Sequence, residues 1–535
     1  MKKILYLLLI GLILTGCESF LDEMPDNRAE IDNEEKIAKL LTSAYPEYNF
    51  VLLAELSSDN IDDILGIDNA YSGRFPEQIA YWKEITEDHE ENTSHVWESH
   101  YKAIATANTA LQAIEELGSP KSLNPHKGEA LIARAYAHFV LVNMFSLHYS
   151  PKTSDKDLGI PYIKHPETEL ATTYERGTVA DVYKEIDKDI QEALPLISDA
   201  IYSVPKYHFN RKAALAFASR FYLYYLDYDK VIEYANQVLG ADPLSQMRDY
   251  SNWGTAIPRD PGLWSMDYIR ETHKSNLLLL AAYSTCGVQF GGYIYWNRFT
   301  THADITAKET VRANTPWGIY TSASSPGANY YSYKPANIFW DFVPPYSNTF
   351  TAKMPYIFQV TDPVAQIGEW RTVFSVFQTE EVLLNRAEAY VFKNSLEDAV
   401  ADLAIWQTAR FNKGANTTLT LEKINPFFDT LAFFTPFEPT IKKAINPDFT
   451  VAEDQKNLIY CILHARRAQF WGEGLRWFDI KRYRIEIHRR LIDARSRIAR
   501  VQETLTVDDS RRAFQIPPDV VSAGLKPNPR NKLSN

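Results

Sequence analysis

A mainly α protein is the architecture this sequence predicts: tetratricopeptide-like helical pairs carrying a large, irregular, aromatic-rich loop insertion, with little β. Three observations predict it. Apolar residues recur at helical spacing before residue 243 and again after 376. Two segments share, in register, the residue offsets of a helix-pair repeat. Between them, residues 244–375 lose the helical period and become rich in Trp, Tyr, Gly, Pro, Ser and Asn.

The chain begins with a leader. Lys2 and Lys3 precede an apolar run from Ile4 to Leu14 that closes on Leu14-Thr15-Gly16-Cys17, the pattern of a bacterial lipobox. The run is too short to span a bilayer. Residues 1–16 therefore read as a signal peptide, Cys17 as the lipidation site and residues 17–33 as a lipidated tether. Each buried acyl methylene contributes about 0.8 kcal/mol, so several chains make a stable anchor. No other stretch is long and apolar enough to span a membrane, so this lipid is the only membrane contact expected.

Glu34 to Tyr45 reads as the first amphipathic helix. From Trp97 to Leu117 the residues Tyr101, Ile104, Ala105, Leu111, Ile114 and Leu117 share a helical face, which Gly118 and Pro120 end. A second helix, His126 to Leu147, presents Ala130, Leu131, Ala135, Phe139, Val142 and Met144, small enough for close packing in a hairpin. Val179 to Leu196 supplies another helix. The repeat offsets then recur: Leu215, Ser219 and Tyr222 are followed by Val231, Val238 and Pro243, and Leu383, Ala387 and Tyr390 by Ala399 and Trp406. In both, the small residue of the first helix precedes its partner on the second by twelve positions. Glu129, Ala133 and Tyr136 give a weaker third copy.

The insertion carries Trp253, Trp264, Trp296, Trp317 and Trp340 among the chain's 11 tryptophans, a composition opposite to that of a disordered linker. A second irregular stretch, Leu56 to Glu91, includes Arg74, Tyr81 and Trp82. Long loops in compact helical proteins tend to carry function.

The bulk numbers exclude some classes. A formal net charge of −12 disfavours nucleic acid as a partner. Three cysteines, one of them Cys17, are too few for a disulfide framework, and spacing leaves the pairing of Cys286 with Cys461 open. Metalloprotease, nucleophile-elbow, P-loop and dinucleotide-binding motifs are absent, and no pair of carboxylates is marked out as a glycosidase would need. His89-Glu90-Glu91 and His95 fit no metal spacing and read as solvated loop residues. Asp59, Asp62, Asp63 and Asp68 have the chemistry of a calcium loop but lack the glycine and bidentate glutamate at their required positions. A polar loop, no metal and no cofactor are expected there.

The C-terminal third completes a recognisable pattern. Gln378-Thr379-Glu380-Glu381-Val382-Leu383-Leu384-Asn385-Arg386-Ala387-Glu388-Ala389 resembles the helix that opens the C-terminal repeat of the SusD/RagB family. Glu473-Gly474-Leu475-Arg476-Trp477-Phe478-Asp479-Ile480-Lys481-Arg482 is similar to that family's E-x-G-x-R-W-F-D-L-x-R signature. The tail Phe514-Gln515-Ile516-Pro517-Pro518 with Pro527-Asn528-Pro529, the start Cys17-x-x-Phe20-Leu21-Asp22-x-x-Pro25 and the helix Glu129 to Phe145 also resemble family segments, in family order. Departures are Arg530 where glycine is usual and Gln469-Phe470 where Glu-Leu is usual. On their own, Glu473, Arg476, Asp479 and Arg482 at three-residue spacing set alternating charges along one helix side, with Trp477, Phe478 and Ile480 inward. That is architecture, with no chemistry assigned to it.

The resemblance implies a single SusD-like domain over 34–535, with an N-terminal part to 243, the insertion at 244–375 and a C-terminal part from 376. It implies a lipoprotein of the outer membrane of Bacteroidetes, anchored at Cys17 and facing the exterior. It also implies a lid on a SusC-like TonB-dependent barrel that captures oligosaccharide or polysaccharide, or in the RagB-like branch peptide, without catalysis. Saccharide capture needs flat rings and hydrogen-bonding groups together. The expected ligand residues are Trp82, Trp296, Trp317 and Tyr320 as platform, Tyr81, Tyr295 and Asn297 as neighbours, and Arg74 as a polar clamp. A surface glycoside hydrolase is the alternative from another class.

Overall fold

The structure, a computed structural model, describes residues 31–65, 73–167, 174–258, 260–291, 297–318, 339–341, 347–411 and 419–530. The signal peptide, Cys17 and most of the tether lie outside them. About 48% of the described residues are helical and 13% are in strands, as the helical periodicity predicts.

The first helix, α1 (Glu34–Leu41), is capped by Asn33, whose side chain accepts from the Lys36 amide, and buries Ile37 and Leu41. Next come α2 (Val51–Ser57), a short strand β1 (Asp62–Asp63) and α3 (Arg74–Ala80). The stretch from Leu56 to Glu91 is therefore more ordered than its irregular pattern indicates. Within it β1 and α3 are too short to show a period, and α2, which ends where the stretch begins, is buried on every side and shows no stripe.

The predicted hairpin forms from α4 (Thr93–Glu116) and α5 (Asn124–Phe145), and α6 (Val179–Ala193) packs on α5. From Gly128 onward every residue of α5 is buried, so it is the central rod of the N-terminal part. Helix α6 starts at a capping box in which Thr178 and Asp181 satisfy one another's backbone amides. The two repeat units are α7 (Arg211–Tyr225) with α8 (Tyr228–Leu239), and, past the insertion, α12 (Thr379–Phe392) with α13 (Leu396–Arg410). Ser219, Val231, Ala387 and Ala399, the small and close-packing residues of the repeat, are all fully buried. Pro243 lies beyond the end of α8. The units stack directly, α8 against α12, although the whole insertion separates them in sequence.

The insertion is folded around them. It contains α9 (Pro261–Tyr268), β2 (Asn276–Tyr283), α10 (Cys286–Phe290), β3 (Phe299–Thr300), α11 (Ala303–Lys308), β4 (Phe339–Asp341), β5 (Thr349–Thr351), β6 (Ile357–Asp362) and β7 (Ile367–Gln378). Strands β2, β7 and β6 make an antiparallel sheet in that order, with Tyr283 opposite Arg371 and Phe358 opposite Trp370. Strand β7 runs straight into α12 at Gln378, so the insertion is continuous with the second repeat.

The C-terminal part adds α14 (Leu421–Thr430), α15 (Lys456–Gln469), α16 (Leu475–Arg482), the hairpin β8 (Ile487–Ile492) and β9 (Ile498–Leu505), and α17 (Pro518–Ser522). Strand β1 is sandwiched between β3, antiparallel, and β8, parallel, which joins the two ends of the chain in one sheet.

The acidic stretch near β1 is where the sequence reading needs its first correction. Asp59, Asp62 and Asp63 form no polar loop; all three are buried. Asp59 takes a bidentate pair from Arg476 (2.9 and 2.8 Å) and lies 2.8 Å from Lys443. Glu309 binds Arg490 (2.9 Å), Lys443 (3.0 Å) and Arg467 (3.1 Å), and Arg490 also clamps Asp62. Asp68 lies outside the described residues, among which no three His, Cys, Asp or Glu side chains are grouped to hold a metal. The family signature thus supplies cations to a buried network, and Glu473, just before α16, accepts from Tyr268 and Gln378. Cys286 and Cys461 are free and buried. Among the described residues no helix is long and apolar enough to cross a membrane.

Candidate functional site

Helix α3, the loop after it and α10 converge on a cleft of about 460 Å³. Leu52 and Leu56 of α2 floor it. Arg74, Phe75 and Pro76 form one wall, Glu87, Asp88 and His89 a second, and Thr285, Val288, Gln289 and Asn297 the third. Each wall is braced from behind. Gln78, buried on α3, exchanges hydrogen bonds with Thr86 (Nε2 to Oγ1 at 2.8 Å; Thr86 N to Oε1 at 3.0 Å), which holds the second wall against the first. The Gln289 amide donates to Phe299 O at 2.5 Å, tying the third wall to β3.

The chemistry inside the cleft is mixed. His89 lies flat on Phe75, centroids 4.0 Å apart and planes 10° from parallel. Its Nδ1 accepts the Glu91 amide proton at 3.1 Å, which leaves Nε2 as the protonated nitrogen of the neutral ring. Burial, with help from His95, lowers the His89 pKa against the opposing pull of Asp88, so the ring stays neutral at physiological pH. Arg74 reaches Glu87 at 3.1 Å across the opening, with 71% of its side chain exposed. One apolar stacked pair, one neutral N–H donor, an arginine, two carboxylates and two amides are a set that can hold a hydroxyl-rich ligand.

Aromatic surface lies beside this cleft, behind α10. Gly287 lets the chain at Pro355 and Tyr356 come close; a Cβ there would meet Pro355 O at 2.8 Å. Tyr356 stacks on Trp370 (3.7 Å, 10°), and Phe358 packs on the same indole (4.7 Å) while remaining 41% exposed. The insertion's aromatic excess pointed at such a surface, but Trp370 sits in a strand, where composition gave no reason to prefer it over its neighbours.

Of the residues predicted for the site, Arg74 and Asn297 line the cleft. Three others do not reach it and are corrected here. Tyr81 is buried and donates its hydroxyl to Asp63. Trp82, in left-handed backbone at φ 51°, is buried with its Nε1–H on Ser57 O at 3.0 Å, and Arg489 stacks over its ring at 5.0 Å. Trp317 is 2% exposed, between Trp406, Phe411 and His464. Each ring is already covered by protein, so none can stack on a ligand. Tyr295, Trp296 and Tyr320 lie outside the described residues. The reading of His89-Glu90-Glu91 as solvated is corrected at Glu91, which is fully buried; Glu90 is exposed, and His89 is half-buried where it lines the cleft.

The fold thus defines a class of architecture: a helical-pair scaffold that carries a loop-built cleft between α3 and α10. Comparison with known proteins says what the chain is similar to. Residues 19–223 match the family model described as starch-binding, associating with the outer membrane. A SusD-like protein of Formosa agariphila is 21% identical over 531 residues, covering 90% of this chain and 91% of the relative. Among solved structures, a SusD superfamily protein from Bacteroides vulgatus aligns with a TM-score of 0.61 at 19% identity, over 93% of this chain and 98% of that one. A SusD superfamily protein from Bacteroides thetaiotaomicron gives 0.60 at 18%, over 92% and 98%. Over residues 19–223 the chain is thus similar to the SusD-like family, and over its whole length it shares the fold of SusD superfamily structures.

Proposed function

We propose that this protein is a nutrient-binding lipoprotein. It is held at the outer membrane by acyl chains on Cys17, binds oligosaccharide or polysaccharide in the cleft between α3 and α10, and passes it to a SusC-like TonB-dependent barrel. The observation that carries this reading is the cleft itself. The loop-built walls gather a stacked ring pair and polar donors in one place, and the Tyr356–Trp370–Phe358 cluster continues the aromatic surface past α10. Rings supply the apolar face that a pyranose C–H surface needs, and the amides, His89 and Arg74 meet its hydroxyls. The match to a starch-binding, outer-membrane-associated family supports the ligand class and the location. Binding without turnover is part of the proposal.

Calorimetry of the chain from residue 18 onward against soluble starch, other neutral polysaccharides, acidic polysaccharides and a peptide digest tests it. A saccharide that binds and is recovered unhydrolysed supports the reading. Peptide binding alone moves the protein to the RagB-like branch, and saccharide hydrolysis makes it an enzyme. Co-purification of the lipidated protein with a barrel from the outer membrane tests the delivery step.

A further inference from the structure

The second and third walls of the cleft are tied together through one side chain. Glu91 is fully buried, and its carboxylate accepts three hydrogen bonds from the far wall. Ser284 Oγ donates at 2.6 Å to one oxygen; Thr285 N and Oγ1 donate at 2.7 and 2.6 Å to the other. On its own side, the Glu91 amide donates to His89 Nδ1, so the residue that closes the cleft also fixes the tautomer of the ring that lines it. We propose that Glu91 is a positioning residue of the cleft: it sets the gap between Glu87–His89 and Thr285–Gln289, and that gap is proton-sensitive. The inference rests on the reading of the cleft as the ligand site.

The surroundings of Glu91 make its protonation state matter. Its own loop brings Asp88, His89 and Glu90; α4 brings His95, whose Nδ1–H donates to His89 O at 3.2 Å; the β2–α10 junction brings the buried Cys286 thiol, on which Glu55 of α2 also acts. The groups acting most strongly on Glu91 are neutral donors and one acid, Glu90. Burial pushes its carboxyl up to about 6, against the opposing pull of the Ser284 and Thr285 hydrogen bonds. A carboxylate accepts on both oxygens, whereas the protonated acid must carry a hydrogen on one of them. Below about pH 6 one of the three donors is then reversed or lost and the walls loosen.

Hydrogen–deuterium exchange of the full chain, read in segments 87–92 and 284–290 and corrected for the intrinsic effect of pH on exchange, tests this without any ligand. Losing one net hydrogen bond changes the opening equilibrium by roughly fivefold to tenfold. Wild type should lose that much protection between pH 7 and pH 5. Glu91→Gln should hold its protection flat, because the amide oxygen accepts both Thr285 donors, the amide nitrogen donates to Ser284 Oγ, and nothing titrates. Glu91→Ala should lose protection at both pH values, with Glu91→Gln restoring it. Equal pH dependence in wild type and Glu91→Gln overturns the proposal, as does unchanged protection in Glu91→Ala. If Glu91→Ala does not fold, the pH profile of Glu91→Gln still decides. Failure of every saccharide in the calorimetric panel would overturn the ligand reading and leave the exchange result to judge the pin.

Discussion

Two arginine–carboxylate pairs in this molecule lie at similar distances and have opposite roles. Arg476 meets Asp59 at 2.8 Å with 4% and 3% of their side chains exposed; Arg74 meets Glu87 at 3.1 Å with 71% and 36% exposed. The first belongs to a desolvated network that joins the N-terminal β1 region to the signature helix α16 and to β8. The second spans the mouth of the cleft in water. A buried charge left without its partner is costly, whereas an exposed pair contributes little and is screened by salt. The scaffold therefore keeps its charges locked, and the site keeps its charges free to exchange water or a protein partner for a ligand.

The comparison breaks most sharply at Asp59. Asp59→Ala strands Arg476, Arg467 and Lys443 in the core, and should cost about 3–5 kcal/mol in urea unfolding. A loss below about 1 kcal/mol would mean that the network is hydrated and the contrast with Arg74 false. Next comes Trp317→Ala, which empties space beside Trp406 and should cost a comparable amount, about 3–5 kcal/mol. Its saccharide affinity, measured where the variant is folded, should match wild type; a selective loss of affinity would return Trp317 to the site.

Acid should separate the regions as well. Burial would raise the Glu309 carboxyl, but Lys443, Arg490 and Arg467 outweigh it and hold it down at about 2, against 4.5 unperturbed. A group depressed in the folded state contributes stability that is present above its unfolded pKa and lost as pH falls through its folded one. Glu309 thus contributes on the order of 3 kcal/mol at neutral pH that fades between about pH 4.5 and 2. Glu309→Gln should flatten the unfolding curve across that window. The smallest effect belongs to Arg74→Ala: stability should move by no more than about 1 kcal/mol, while affinity for the saccharide found by calorimetry falls. An unchanged affinity would remove Arg74 from the site.

Much of this was legible in the chain. Helices α4 to α8, α12 and α13 follow from 3.6-residue periodicity, and the twelve-residue offset located the paired small residues that let the repeats pack. Other parts were not legible. Trp82 and Trp317 carry the residue type that a saccharide platform needs, but the same type fills cores, and nothing local distinguishes a ring covered by Arg489 or Trp406 from one left open. Asp59, Asp62 and Asp63 looked like solvated acids although Val51–Ala54, Leu56, Ile61 and Ile64 around them are apolar. That apolar context was the available signal, and its meaning lay in arginines more than 400 positions away for Asp59 and Asp62, and in Arg298, 235 positions away, for Asp63. Glu91 was hidden for the same reason, since its partners are 193 and 194 residues distant.

By itself the sequence determined the helical repeat scaffold, the place of the aromatic-rich insertion and the family resemblance. Periodicity, capping and short motifs act over a few residues and can be read directly. Only the tertiary structure decided that α8 and α12 stack across the insertion, that β1 joins β8, that Arg74, His89 and Asn297 share one cleft, and that Trp82 and Trp317 do not. Burial and charge pairing are properties of which distant segments meet, and desolvation, which sets the energy of every such meeting, is written in no single stretch of chain.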